Sequence, residues 1–184
     1  MASISAPASL ITWKIDPAHS AAEFKVKHMM IANVKGTIKG ITGDLTEHIT
    51  DASLSFIETT LDVSTLNTGE PQRDAHLKSP DFLELEKYPT ITFKSTQVER
   101  KGEAEYAVTG DLTIHGVTRP VTLSVEGPTP PQKDPWGNVR IGLEATTKID
   151  RKDFGLTWNT ALETGGILVG DTVHITIAAE FIKG

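Results

Sequence analysis

The stretch Tyr106-Ala107-Val108-Thr109-Gly110-Asp111-Leu112-Thr113-Ile114-His115-Gly116-Val117-Thr118 decides the fold, together with Val121 to Val125 after it. Tyr106, Val108, Gly110, Leu112 and Ile114 fall on one face. Thr109, Asp111, Thr113 and His115 fall on the other. Alternation of period two marks a strand buried on one side only. His115-Gly116-Val117-Thr118 forms a tight turn, and Val121, Leu123 and Val125 resume the alternation. The same pattern recurs along most of the chain and predicts a curled antiparallel sheet around one apolar interior.

Working outward, a lead-in strand covers Leu10 to Asp16. Eight longer strands follow: Ser20–His28, Val34–Leu45, Ala52–Val63, Thr90–Glu99, Glu105–Ile114, Thr118–Glu126, Val139–Ile149 and Thr172–Ile182. Inward faces carry Ala22, Phe24 and Val26; Leu54 and Phe56; Ile91 and Phe93; Val121, Leu123 and Val125; Ile141, Leu143 and Ala145; and Val173, Ile175 and Ile177. Gly36, Gly40, Gly43 and Gly110 lie inside strands, where glycine marks a bulge or a bend of the kind a closing barrel needs. The expected fold class is all-β: an eight-stranded antiparallel lipocalin-like barrel with a short helical lid. A segment over 1–10 is expected to be flexible, and 11–184 to be the barrel domain.

Two connections are long. In Ser64–Pro89, Pro71 can open a short helix, and Ser79-Pro80 resembles a second helix start. Asp150–Asp171 contains Phe154, Leu156 and Trp158. In an up-and-down meander every second connection lies at the same end. Met29–Asn33, Ser64–Pro89, His115–Val117 and Asp150–Asp171 therefore share one end, the expected mouth, with the two long segments as lids. The other end is short or proline-rich and is expected to carry no chemistry.

Composition narrows the function. The chain has 184 residues, 38% of them hydrophobic, with a net charge of -6 and no cysteine. Lys and Arg are scattered along the sequence, which argues against a nucleic-acid partner. Thiolate metal sites and disulfides are excluded. No segment approaches the roughly 20 apolar residues of a membrane-spanning helix. Met1 to Leu10 has neither the basic start nor the apolar run of a secretory signal, so a cytoplasmic setting is expected. No Gly-x-Ser-x-Gly elbow is present. His19, His28, Asp74 and His76 lack the close spacing of a zinc motif. Neither catalysis nor a metal is expected.

Several blocks together resemble the YceI family. They are Trp13-Lys14-Ile15-Asp16-Pro17-Ala18-His19-Ser20, Phe24-Lys25-Val26-Lys27-His28-Met29, Arg73-Asp74-Ala75-His76-Leu77 and Ser79-Pro80-Asp81-Phe82-Leu83. Tyr88-Pro89-Thr90-Ile91-Thr92-Phe93, Gly110 through Val121, and Arg151-Lys152-Asp153-Phe154-Gly155-Leu156 complete the set. The resemblance implies a lipocalin-like barrel that binds a long isoprenoid lipid, of polyprenyl phosphate or quinone type, with no separate cofactor. Many relatives carry an export signal, and this sequence departs from that. Relatives often dimerise, so a homodimer is possible.

Strand parity nominates the lipid-binding residues: Phe24, Val26, Phe56, Phe93, Leu112, Ile114, Leu123, Ile141, Leu143, Ile175 and Ile177, with Trp158 in the second lid. The alternative is that these side chains fill the barrel. His28, Arg73 and His76 are the headgroup candidates at the mouth. His28 could instead bond lid backbone, Arg73 could fix the lid to the barrel, and Asp74 could pair within the lid. His115 reads as turn chemistry, and Arg151 with Asp153 as a structural ion pair. The expected role is storage, transport or sequestration. The alternatives are an enzyme acting on such a lipid, or a packed barrel acting through its surface in stress response.

Overall fold

The computed structural model describes residues 9–184. Residues 1–8 of the expected flexible segment lie outside the described residues, and Leu10 already opens a strand. The strands are β1 (Leu10–Ile15), β2 (Ala21–His28), β3 (Ala32–Ile38), β4 (Ile41–His48), β5 (Phe56–Asp62) and β6 (Thr90–Gly102). They continue as β7 (Glu105–Ile114), β8 (Val117–Glu126), β9 (Gln132–Lys133), β10 (Val139–Asp150) and β11 (Val169–Lys183). One α-helix, α1 (Pro71–Leu77), lies between β5 and β6.

Eleven strands make eight staves of a closed antiparallel barrel. β1 and β2 are two halves of one bent stave. Both pair with β11, and they continue across the sheet to β4 and β3 respectively. The bend is the 3-10 turn Pro17–His19, where the Asp16 carboxylate accepts the Ala18 N–H at 3.0 Å. β3 and β4 bend together at Lys39-Gly40, so the expected single strand Val34–Leu45 is broken there. β9 only extends the hairpin into β10. Closure comes from β11, which pairs with β10 along one edge and with β2 and β1 along the other. The seam is β8 against β10, where only Ser124–Glu126 pairs with Glu144–Thr146.

The phase of β5 corrects one expectation. Asp51 caps a 3-10 turn at Ala52–Leu54, so the strand starts at Phe56 rather than Ala52. Leu61 is buried, and Ile57 packs against the same core, so Ile57, Thr59 and Leu61 are the inward set. Leu54 and Phe56 are exposed. Elsewhere parity holds: Val108, Leu112 and Ile114 of β7 are buried while Asp111 is exposed.

Two glycines let aromatic rings lie flat against the wall. A Cβ on Gly36 would collide with the ring of Phe24, its cross-strand partner. A Cβ on Gly110 would stand 2.5 Å from Phe93 Cζ. Glycine in a strand commonly marks such a close approach.

At the end away from the lids, Arg140 clasps three segments. Its Nη1 donates to Asp16 Oδ2 at 2.7 Å and Glu180 Oε1 at 2.8 Å, and its Nε donates to Asp134 Oδ2 at 2.7 Å. Arg140 first, then His19, holds the Asp16 carboxyl down to about 2, and Arg140 also lowers Asp134. A carboxylate with a depressed folded-state pKa stabilises the fold above its ordinary pKa and loses that contribution as pH falls. The window here runs from the ordinary value of 3.8 to about 2. An Arg140→Gln variant should be less stable at neutral pH, and its stability should fall less steeply through that window. Urea unfolding at stepped pH measures both; identical pH profiles for the two proteins would rule out the clasp.

Candidate functional site

The barrel encloses a cavity of about 820 Å³ that runs from the lids toward the opposite end. Phe24, Val26, Phe93, Leu112, Ile114, Leu123, Leu143, Ile175 and Ile177 all line it, as do Trp158, His28, Arg73 and His76. Phe56 reaches it only at the far rim, outside the inward set of β5. Ile141 is the exception. It is 3% exposed, pairs with Phe181 and does not line the cavity. Phe181, which also pairs with Ile15, lines the cavity, and Ile141 is buried in the core beside it.

Both lids close the same end, as the meander argument requires. In the first, Leu66 and Phe82 are buried, and Leu77, Leu83 and Leu85 pack on the core. In the second, Phe154 and Leu156 are buried. The lids meet edge to face: the His76 ring lies 4.7 Å from Trp158 and 5.1 Å from Phe82, and Phe82 lies 5.3 Å from Trp158. His76 Nε2 also bonds Asp81 at 2.9 Å.

His115 joins the lids from below. It sits in the left-handed region, with φ of 53°, as a turn residue should. Its Nε2 lies 3.2 Å from Glu84 of the first lid, and its Nδ1 lies 3.4 Å from the Phe154 carbonyl of the second. The turn reading was therefore incomplete. A long-range partner is invisible to local sequence, and only the barrel brings residues 84, 115 and 154 together.

Arg151 departs from its expected pairing with Asp153. It is 3% exposed and donates to the carbonyls of Gly170, Leu156, Trp158 and Val169. Its charged partner is Asp171, at 3.7 Å. Burial lowers its pKa, partly offset by Asp171 and Asp150. Arginine can satisfy several carbonyls at once because its planar head carries five donors. Asn159 completes the frame, bonding the Val169 carbonyl and N–H.

The headgroup candidates divide. Arg73 Nε donates to Thr68 Oγ1 and Nη2 to the Thr68 carbonyl, while Asp74 accepts from the Thr68 N–H and hydroxyl. Those bonds lower the Asp74 pKa and tie α1 to its own loop rather than to the barrel. Arg73 Nη1 keeps no hydrogen bond among the described residues. The His28 ring likewise bonds nothing among them. The lid contact expected of it is made by its neighbour, as Met29 N–H donates to the Leu168 carbonyl at 2.8 Å.

The opposite end is less blank than expected. Glu47, His48, Thr50 and Arg100 border the cavity there. Each of three is committed to structure: Glu47 accepts the Trp13 indole N–H, His48 Nδ1 accepts the Asp51 N–H, and Arg100 donates to the Gly102 carbonyl. Leu10, Ile49, Leu54 and Phe56 are exposed at this end. The alternation of β4 and the Asp51 cap were the sequence signals for this rim.

A closed antiparallel barrel with an apolar lumen under two lids defines a lipocalin-like ligand-holding class. The chain belongs to the YceI-like domain family, whose model matches residues 13–181. A UPF0312 protein of Vibrio cholerae is 37% identical over 139 residues, covering 76% of this chain and 73% of its own. A YceI protein of Campylobacter jejuni superposes with a TM-score of 0.71 at 30% identity, covering 86% of this chain and 90% of its own. A polyisoprenoid binding domain from Saccharophagus degradans, implicated in plant cell wall breakdown, shares the fold with a TM-score of 0.67 at 14% identity. That match covers 94% of this chain and 98% of its own. No helix among the described residues is long and apolar enough to cross a membrane.

Exchange of Arg151 for Met strands several buried carbonyls, each of which loses its donor. The expected cost is about 3 kcal/mol in urea unfolding, with faster proteolysis confined to the second lid. Wild-type stability and cleavage rates would show that the lid is held by its apolar contacts alone.

Proposed function

We propose that the protein takes one long isoprenoid-type lipid, a polyprenyl phosphate or a quinone, into the lumen and holds it for transport, storage or sequestration without transforming it. The observation that carries this reading is the distribution of polarity along the cavity. Its midsection is walled mainly by Phe93, Leu112, Leu123, Leu143, Ile175 and Ile177, while the ionisable groups that border it, Glu23 of β2 apart, cluster at the two ends. An isoprenoid tail offers apolar surface alone, worth roughly 2.5 kcal/mol per ~100 Å² taken out of water. Cavities of this size that are apolar with a few polar groups at one end are ordinary ligand sites.

At the lidded end, His28 and Arg73 Nη1 stand without hydrogen-bond partners among the described residues. Arginine suits phosphate through its planar fork, and either group could bond a quinone oxygen. The description of the Saccharophagus domain as polyisoprenoid binding agrees with this reading. Among the described residues the midsection pairs no nucleophile with a base, as group transfer would require.

Native mass spectrometry of the purified protein, followed by organic extraction, should find a stoichiometric isoprenoid, or uptake of one when it is added. Leu112→Trp should abolish uptake while the protein stays folded and melts within about 10 °C of wild type, because overpacking costs about 1–3 kcal/mol. A bare mass with no uptake from any isoprenoid would defeat the proposal.

A further inference from the structure

We infer that the β2–β3 hairpin and the basic row beside it form a docking surface for an anionic lipid bilayer. Residues 25–35 read Lys-Val-Lys-His-Met-Met-Ile-Ala-Asn-Val-Lys, with three lysines and no acid in a chain of net charge -6. The tip of the hairpin is apolar and in water: Met29, Met30 and Ile31 are 40%, 56% and 81% exposed. Met29 and Met30 adopt φ values of 51° and 61°. Consecutive left-handed positions suit Gly, Asn and Asp, so long apolar side chains here are locally unfavourable. Neither turn geometry nor core packing accounts for them.

Sheet register assembles the charge that the sequence disperses. Lys35 lies opposite Lys25, Lys25 opposite His174, and His174 opposite Lys148. Lys27 stands two residues nearer the tip. Lys25, Lys27, Lys35 and Lys148 form no ion pair among the described residues. The adjacent row, Thr37, Glu23, Thr176 and Thr146, offers one acid. Asp171, near the tip-side end of β11, is engaged by Lys152 at 3.1 Å. Like charges directly across strands destabilise a sheet. The His174 pKa is lowered by burial first and then by Lys148, Lys25 and Lys27.

A row of uncompensated lysines behind an exposed apolar tip matches the two layers of a bilayer surface. The tip meets the acyl boundary while the lysines meet anionic headgroups. The hairpin also adjoins the lidded end: Val169 pairs with His28, and Leu168 bonds Met29. A docked barrel would thus present its lids to the membrane. Nucleic acid would use the lysines but not the apolar tip.

The test is flotation of the full chain with isoprenoid-free vesicles of phosphatidylcholine alone, or with about a third phosphatidylglycerol. Binding is expected on the anionic vesicles, weaker in high salt. Lys25→Glu/Lys35→Glu/Lys148→Glu should lower it about tenfold or more, and Met30→Ser/Ile31→Ser severalfold, with unchanged melting curves. The lysine variant should still load isoprenoid from detergent, so failure to dock and failure to bind cargo are read separately. Equal binding to both vesicle types would overturn the inference, as would binding to neither. So would a DNA duplex that outcompetes vesicles with no effect of the tip variant.

Discussion

Everything in this protein depends on β11 being paired along both edges. Its fifteen residues bond β10 on one side, and β2 and then β1 on the other. A sheet paired on every edge has no free rim and must enclose a volume. The two bends at Pro17–His19 and Lys39-Gly40 let the first staves follow that closure. The Arg140 clasp lies where the first bend, the proline-rich loop and β11 converge, so it ties these three segments together.

Closure alone does not leave a lumen. Eight staves enclose just enough room for side chains to fill. The space stays open partly because Phe24 and Phe93 lie against Gly36 and Gly110 instead of projecting across the axis. The lids then decide access. Their contacts are of unlike kinds: aromatic edges between His76, Phe82 and Trp158, a histidine strap at Val117's neighbouring turn, and buried arginine bonds in the second lid. The aromatic contact faces the cavity, whereas Arg151 is locked among carbonyls. Opening at the aromatic contact would leave the frame of the second lid intact.

Outside, charge is organised by the same register that builds the core. Lys25, Lys35, His174 and Lys148 are distant in sequence and adjacent across four strands. Several of the acids that give the chain its negative total are spent on Arg140, Thr68 or lid turns. Net charge therefore describes this surface poorly.

Alternation and turn chemistry were enough to read an antiparallel barrel, the inward faces of most strands and the common end of the two lids. These depend on side-chain direction within one strand or on the count of reversals, both local properties. The same reasoning failed at Phe56, because a three-residue capped turn reset the phase of β5, and at Ile141, because parity says inward without saying whether inward means lumen or packed core. His115, Arg140 and Arg151 escaped for a different reason: most of their partners lie far away in the chain, such as Glu84 for His115 and Asp16 for Arg140, or are backbone carbonyls with no sequence signature. The sequence by itself determined which side chains face inward on every strand whose start it placed correctly, β5 excepted. Only the tertiary structure decided which of them border open space, which polar groups are spent on holding the lids, and which lysines stand side by side, because those outcomes depend on closure and register between distant strands.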